Sequence, residues 1–100
     1  PDINDYLQTY NISMAFMACT GVTMKSGLTN ASAEEYITKK AIAENANSMI
    51  LLADHSKFGR ISLMTYSSME KLDAIVTDQP LPEEYDSFCQ EHGIRVMTID

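Results

Sequence analysis

Short apolar runs alternate with amphipathic stretches along the chain, and this alternation predicts strands separated by helices. The predicted strands are residues 12–19, 49–53, 74–77 and 94–99, which are apolar over most of their length. Continuous apolar runs are typical of parallel strands that are buried on both faces. Long connections between such strands favour right-handed crossovers. We therefore predict an α/β fold in which a mostly parallel sheet carries helices on both faces.

The strongest helix signal lies in the middle of the chain. Ser32 stands three residues before Glu35, which is the signature of a capping box, and the helix should run to about Ala46. Its inward stripe is predicted at Ala33, Ile37 and Ala41, with Tyr36 alongside. Lys39 stands four residues after Glu35 and is predicted to pair with it on the solvent face.

The rest of the chain gives weaker signals. Apolar residues at helical spacing predict a helix over residues 3–10, and a later helix should begin with Pro82 at its first position and end at Gly93. Residues 22–31 are predicted to be a polar loop. The stretch 61–66 fits either a short strand or irregular chain.

Length and charge exclude several classes of protein. One hundred residues are enough for one domain with a modest core. A net charge of −7 argues against a nucleic-acid interface, which needs clustered Lys and Arg. No apolar run approaches the roughly 20 residues needed to cross a bilayer, so no membrane partner is expected. Because the chain begins with Pro1, we interpret it as a fragment or a processed product.

Cysteine and histidine usage gives no sign of a metal or a cofactor. Cys19 and Cys89 are 70 residues apart without metal-type spacing, and no signal peptide precedes them. They are interpreted as free buried thiols in a reducing cytoplasm. His55 and His92 have no partner at ligand spacing and are predicted to be a loop residue and a helix cap. The chain also has no P-loop and no GxGxxG motif, and no cofactor is expected.

Polar residues follow three of the predicted strands, at positions 20–21, 54–59 and 77–78. The carboxyl ends of parallel strands lie along one edge of a sheet, where ligands bind, so these groups should converge. Lys57 in "ADHSKFGR" offers a compact positive charge for a phosphate, and Ser56 with nearby backbone amides would add donors. The alternative is an ordinary turn with a solvated lysine. Thr29, Asn30 and Glu34 form a second polar group, for which the alternative is plain helix capping.

Four stretches together resemble the C-terminal effector-sensing domain of DeoR-type repressors of sugar metabolism: "AFMACTGV", "GLTNASAEEYITKKAIAENA", "MILLADHSKFGR" and "LDAIVTD". Within that family the chain is similar to the lactose phosphotransferase-system repressors, whose effector would be tagatose 6-phosphate. The resemblance implies a fold shared with glucosamine-6-phosphate deaminase and ribose-5-phosphate isomerase. By position, Lys57 is similar to the lysine that holds the substrate phosphate in the deaminases.

The resemblance also implies an organisation and a binding site. Residues 1–100 would be the C-terminal portion of a sensor domain, with the DNA-binding domain before Pro1, the family's early phosphate loop missing, and a homo-oligomer in the intact protein. DNA would be bound only through that missing domain, and the effector would be a sugar phosphate. The predicted effector-binding residues are Gly21, Thr29, Asn30, Glu34, Asp54, Ser56, Lys57, Gly59 and Asp78.

The same comparison argues against catalysis. The deaminases carry an acid and a histidine just before their "AF" segment, where this chain has Asn11 and Ser13. Neither side chain is a general base near neutral pH, so the chain is predicted to bind an effector and not to be an enzyme. Two alternatives stay open: a fragment of an isomerase- or deaminase-like enzyme, and an oligomerisation module.

Overall fold

A computed structural model describes residues 3–99, which form two sheets and three α-helices. No helix in this range is long and apolar enough to span a membrane. The elements in chain order are α1 (Ile3–Leu7), β1 (Ile12–Met17), β2 (Gly21–Thr23), β3 (Gly27–Asn30), α2 (Ala33–Asn45), β4 (Ala46–Leu52), a 3-10 turn (His55–Lys57), β5 (Met64–Ser67), a second 3-10 turn (Met69–Lys71), β6 (Ala74–Thr77), α3 (Glu83–His92) and β7 (Arg95–Thr98).

The larger sheet has four parallel strands in the order β1-β4-β6-β7. Leu51 stands at its centre, opposite Met17 on one neighbouring strand and Ile75 on the other. The α/β class and the mostly parallel sheet are therefore confirmed. Strand β4 begins at Ala46, three residues earlier than predicted, because α2 ends at Asn45 and the chain passes directly into extended backbone.

The smaller sheet is antiparallel, with strand order β2-β3-β5, and the sequence does not predict it. Residues 22–31 were predicted to be a polar loop, and this is wrong: β2 and β3 form a hairpin, and all four residues of β3 are buried. Polar strand residues can be buried when their hydrogen bonds are satisfied, as those of Thr29 are. Gly27 opens β3 with a positive φ of 76°.

Helix α2 begins as predicted, since the Ser32 hydroxyl accepts a hydrogen bond from the Glu35 backbone N–H. Its buried face agrees with the prediction at Ala41, which is buried, and at Tyr36, which packs against the core. It differs at Ile37, which is 54% exposed. Lys39, three residues after Tyr36, and Ala43, four residues after Lys39, also face the protein.

The core lies on one side of the larger sheet. Its central residues are Ala15, Met17, Met49, Leu51 and Ile75, and the hairpin, α2 and α3 pack against them. The strands lie across the sheet in the order in which they occur along the chain. Right-handed crossovers between them place α2 and α3 on the same side. Helices α2 and α3 therefore cover the same side of the sheet, whereas helices were predicted on both sides.

The other side of the larger sheet carries apolar side chains that are exposed in the described part of the chain, residues 3–99. We call this side the open face. Phe16 is 62% exposed although Met17, the next residue, is buried. The expectation that β1 is buried on both faces is therefore wrong for the described residues. The exposed apolar side chains of the open face are Met14, Phe16, Leu52, Met97 and Ile99.

The end of the chain largely follows the prediction. Helix α3 ends at Gly93, which has the left-handed φ of 69° typical of a helix C-cap. Pro82 precedes the helix as its N-cap residue and not as its first residue. Cys19 and Cys89 are both buried and free, as the sequence indicates.

Candidate functional site

The turn at residues 54–59 follows β4 at the carboxyl end of the larger sheet. Asp54 caps its 3-10 segment: one carboxylate oxygen accepts the Ser56 backbone N–H at 2.8 Å and also the Ser56 hydroxyl. These two hydrogen bonds hold the pKa of Asp54 below its usual range. The carboxylate is therefore charged near neutral pH and fixed in the turn.

Lys57 lies in the same turn and is the cation that the sequence predicts for phosphate binding. Its Nζ is 3.7 Å from the second carboxylate oxygen of Asp54, and its side chain is 30% exposed. That distance is longer than a hydrogen bond. A half-exposed pair of this kind is worth little free energy, so the N–H groups of Lys57 are available to a stronger acceptor.

Three backbone amides of the turn, which were predicted to add donors to this site, already have acceptors within the protein. The N–H of Ser56 bonds to Asp54, that of Lys57 to the Asp54 carbonyl and that of Gly59 to the Val22 carbonyl. The Ser56 hydroxyl is likewise used by Asp54, whereas the Lys57 ammonium is held only at 3.7 Å.

Gly59 ends the turn with a φ of 90°, a left-handed conformation that favours glycine. Its N–H donates to the Val22 carbonyl at 2.9 Å, and Phe58 forms a parallel bridge with the same residue. The turn is thereby joined to β2 of the smaller sheet as well as to β4.

Asp78, at the end of β6, contacts the turn from the other side. Its two carboxylate oxygens accept hydrogen bonds from His55, one from the backbone N–H at 2.7 Å and one from ring Nδ1 at 2.9 Å. The hydrogen bond from the ring is the main reason that the pKa of Asp78 lies below its usual range. Asp78 therefore lies beside the predicted site and holds the turn to the sheet.

Gly21 and Thr29 shape the loop beside the turn. The Thr29 hydroxyl donates to the Gly21 carbonyl and accepts the Ser62 backbone N–H, each at 2.9 Å, and Thr29 is 1% exposed. At Gly21 a Cβ atom would overlap the carbonyl group of Arg60. Glycine is needed there because two backbone segments approach closely.

Lys39 is the cation that sequence reasoning missed. Its Nζ donates to the Ala18 carbonyl and to the Asn30 side-chain oxygen, both at 2.9 Å, and its side chain is 19% exposed. Its predicted pairing with Glu35 is present at 3.8 Å, but its predicted place on the solvent face is wrong. The spacing of Tyr36, Lys39 and Ala43 is the sequence signal that could have shown it.

Asn30 and Glu34, two further predicted site residues, have other roles in the structure. Asn30 is buried, and its side-chain oxygen is used by Lys39. Glu34 is exposed in the first turn of α2, where the helix dipole favours a carboxylate.

Cys19 lies at the carboxyl end of β1, between the charged groups. Burial raises the pKa of its thiol to about 11, against the opposing effect of the positive charges of Lys39 and Lys57. The thiol is therefore neutral and not a nucleophile. Nearby, the Tyr66 hydroxyl donates to the Ala18 carbonyl at 2.8 Å, and burial raises the pKa of Tyr66 well above its usual range.

Asn11 and Ser13 lie at the other end of the sheet from Lys57, so they do not bear on catalysis beside it. Both stand at the start of β1, whereas Lys57 follows the end of β4 in the same parallel sheet. Groups at opposite ends of a strand do not share a site. At the carboxyl end, the acid and histidine that lie together are Asp78 and His55. No group of three potential metal-binding side chains occurs within residues 3–99.

Comparison with known proteins gives the family. Residues 1–79 match the family model of the DeoR C terminal sensor domain. The chain belongs to this family. It is 51% identical over 90 residues to the HTH-type transcriptional regulator IolR of Bacillus subtilis (strain 168), a match that covers 90% of the chain and 36% of that protein.

Two less similar relatives are also named as transcriptional repressors or regulon repressors. The chain is 29% identical over 92 residues to the glycerol-3-phosphate regulon repressor of Escherichia coli (strain K12), covering 92% of the chain and 36% of the relative. It is 26% identical over 94 residues to the HTH-type transcriptional repressor GlcR of Bacillus subtilis, covering 94% and 36%. The chain thus spans 36% of the length of each of these regulators, and the DeoR-type resemblance is confirmed. The narrower similarity to lactose repressors stays a prediction.

Proposed function

We propose that this chain binds the phosphate group of a sugar phosphate through Lys57, as the effector-sensing part of a DeoR-type transcriptional repressor. The observation that carries the proposal is the ammonium of Lys57 at the carboxyl end of a parallel sheet, held only loosely at 3.7 Å from Asp54. A lysine in this position offers a compact charge to a phosphate oxygen, and the Ser56 hydroxyl lies in the same turn.

The relatives support a phosphorylated effector and a regulatory role. One of them is named for the glycerol-3-phosphate regulon, and two are described as HTH-type regulators. A net charge of −7 makes this chain a poor DNA-binding surface, so we propose that DNA is contacted by another part of a longer, cytoplasmic and homo-oligomeric protein. Tagatose 6-phosphate is one candidate effector within this class.

We further propose that the effector is bound without turnover, because the relatives are regulators. The pairing of His55 with Asp78 keeps the enzymatic alternative testable, since an oriented imidazole is a suitable general base. Incubation of the intact protein with ketose and amino-sugar phosphates should leave them unchanged. Product formation above the buffer rate that disappears in His55→Ala would establish the enzyme instead.

Calorimetry of the intact regulator with matched pairs of ligands tests the binding proposal. Each sugar phosphate is compared with its unphosphorylated sugar, and inorganic phosphate is tested as a competitor. We expect binding of at least one phosphorylated compound, competition by phosphate, and no binding of the neutral sugar. Equal binding of both members of a pair would contradict a phosphate site at Lys57.

A further inference from the structure

We infer that Lys39 supplies a second positive charge to the effector's anionic group. The inference rests on the proposed function, since it adds a residue to the same site. Lys39 belongs to α2, far in sequence from the turn at 54–59, and its side chain is less exposed than that of Lys57.

The hydrogen bonds of Lys39 leave its charge without a close counter-ion. Its two acceptors at 2.9 Å, the Ala18 carbonyl and the Asn30 side-chain oxygen, are both neutral. The carboxylate of Glu35 is 3.8 Å away and largely exposed to solvent. A cation buried for structural reasons alone would be expected to pair tightly with an acid, because desolvation of a charge is costly. The Nζ also lies 5.7 Å from the centroid of the Tyr66 ring, which stabilises the cation in part but does not neutralise its charge.

Lys39 and Lys57 approach the same edge of the sheet. Lys39 donates to Ala18, just beyond β1, and Lys57 follows β4, which is paired with β1 in parallel. Cys19, the residue after Ala18, lies close enough to both ammonium groups for each to act on its thiol, and Asp54 acts on it too. Cys19 therefore lies near two lysines from different parts of the chain.

Two ammonium groups at one edge favour a dianion over a monoanion. A phosphate monoester carries nearly two negative charges at neutral pH, and its oxygens can meet both lysines. The geometry thus points to a terminal phosphate monoester, and a phosphodiester or a simple carboxylate with one charge should bind more weakly.

Lys39→Met and Tyr66→Phe form a matched pair for testing this role. Each removes one donor to the Ala18 carbonyl, and Lys39→Met also removes the donor to Asn30 and the charge. In calorimetry of the intact regulator with its phosphorylated effector, Lys39→Met should weaken binding about tenfold or more and reduce its dependence on salt. Tyr66→Phe should stay within about threefold of wild type. Equal losses in the two variants would show that Lys39 only holds the loop, and would overturn the inference.

Glu35→Gln keeps the test decisive if Lys39→Met does not fold. Glu35 is an exposed residue, and its removal leaves Lys39 without its nearest carboxylate. Binding of the phosphate should then tighten by about two- to threefold at low salt. Unchanged binding in Glu35→Gln, with Lys39→Met either unfolded or equal to wild type, would overturn the inference. Lys57→Ala distinguishes failure of this inference from failure of the proposed function. If Lys57→Ala binds phosphate as wild type does, the proposed function itself fails.

Discussion

His55 donates two hydrogen bonds to Asp78, one from its backbone N–H and one from its ring, at 2.7 and 2.9 Å. This double contact joins the turn after β4 to the end of β6. Because a carboxylate can only accept, ring Nδ1 carries the proton and Nε2 is directed elsewhere. The position of Lys57, two residues along the same turn, depends on this contact.

The carboxylates of Asp54, in the turn, and of Asp78, at the end of β6, make stability fall at acidic pH. The pKa values of Asp54 and Asp78 are both lowered in the folded protein. Their contribution is therefore complete above the unfolded-state pKa near 3.9 and is lost as pH falls through the lower folded-state values. Urea unfolding between pH 5 and pH 2.5 (roughly this window) should show a steeper loss for wild type than for Asp54→Asn/Asp78→Asn. A Glu91→Gln variant, changed at an exposed carboxylate of α3, should follow wild type.

Lys57→Ala should weaken sugar-phosphate binding by about ten- to a hundredfold, because it removes a charge-assisted contact. Lys57→Arg should restore only part of the affinity, since a planar guanidinium does not reproduce a point charge. In the intact repressor, operator binding without effector should stay near normal while release by effector is lost. Titration of effector against operator-bound protein measures this.

Lys25→Ala serves as the control for that experiment, since Lys25 is an exposed lysine in the turn between β2 and β3. Release of DNA at the same effector concentration by wild type, Lys25→Ala and Lys57→Ala would show that Lys57 is an ordinary surface lysine.

Two glycines should differ in their tolerance of alanine. At Gly59 the space is open, and alanine should cost about 1–2 kcal/mol of the free energy of unfolding through its left-handed backbone alone. At Gly21 the new methyl group would meet the backbone of Arg60, so alanine should cost more and also shift the loop beside Cys19. Chemical unfolding of both variants checks the order, and a smaller cost at Gly21 would contradict the close approach.

Neighbouring leucines on β4 should behave oppositely because they face opposite sides of the sheet. Leu51 is fully buried, and Leu51→Ala should cost about 2–5 kcal/mol. Leu52 is 45% exposed on the open face, and Leu52→Ala in the 100-residue chain should cost about 1 kcal/mol or less. Urea unfolding measures both. If Leu52→Ala costs as much as Leu51→Ala in the intact regulator but not in this chain, the open face is covered there.

The sequence predicts the parallel sheet well because its strands are continuous apolar runs. It fails for the hairpin of β2 and β3, where Thr29 and Asn30 are buried by means of specific hydrogen bonds that composition does not reveal. Periodicity also misplaces Ile37 and Lys39, since the apolar stripe of α2 is weak and one buried position is a lysine. The sequence predicts that the turn with Lys57 follows a strand of the sheet. It does not reveal that the amides of Lys57 and Gly59 already donate to carbonyl groups of the protein.

The loose pair of Asp54 and Lys57 bears on how a phosphate would bind under the proposed function. A phosphate that reached this lysine would displace an internal carboxylate, so binding would exchange one anion for another. Because an exposed pair of this kind is worth little free energy, the exchange would cost little. A neutral sugar cannot make that exchange, and in its presence the lysine would keep the protein's own aspartate as its neighbour.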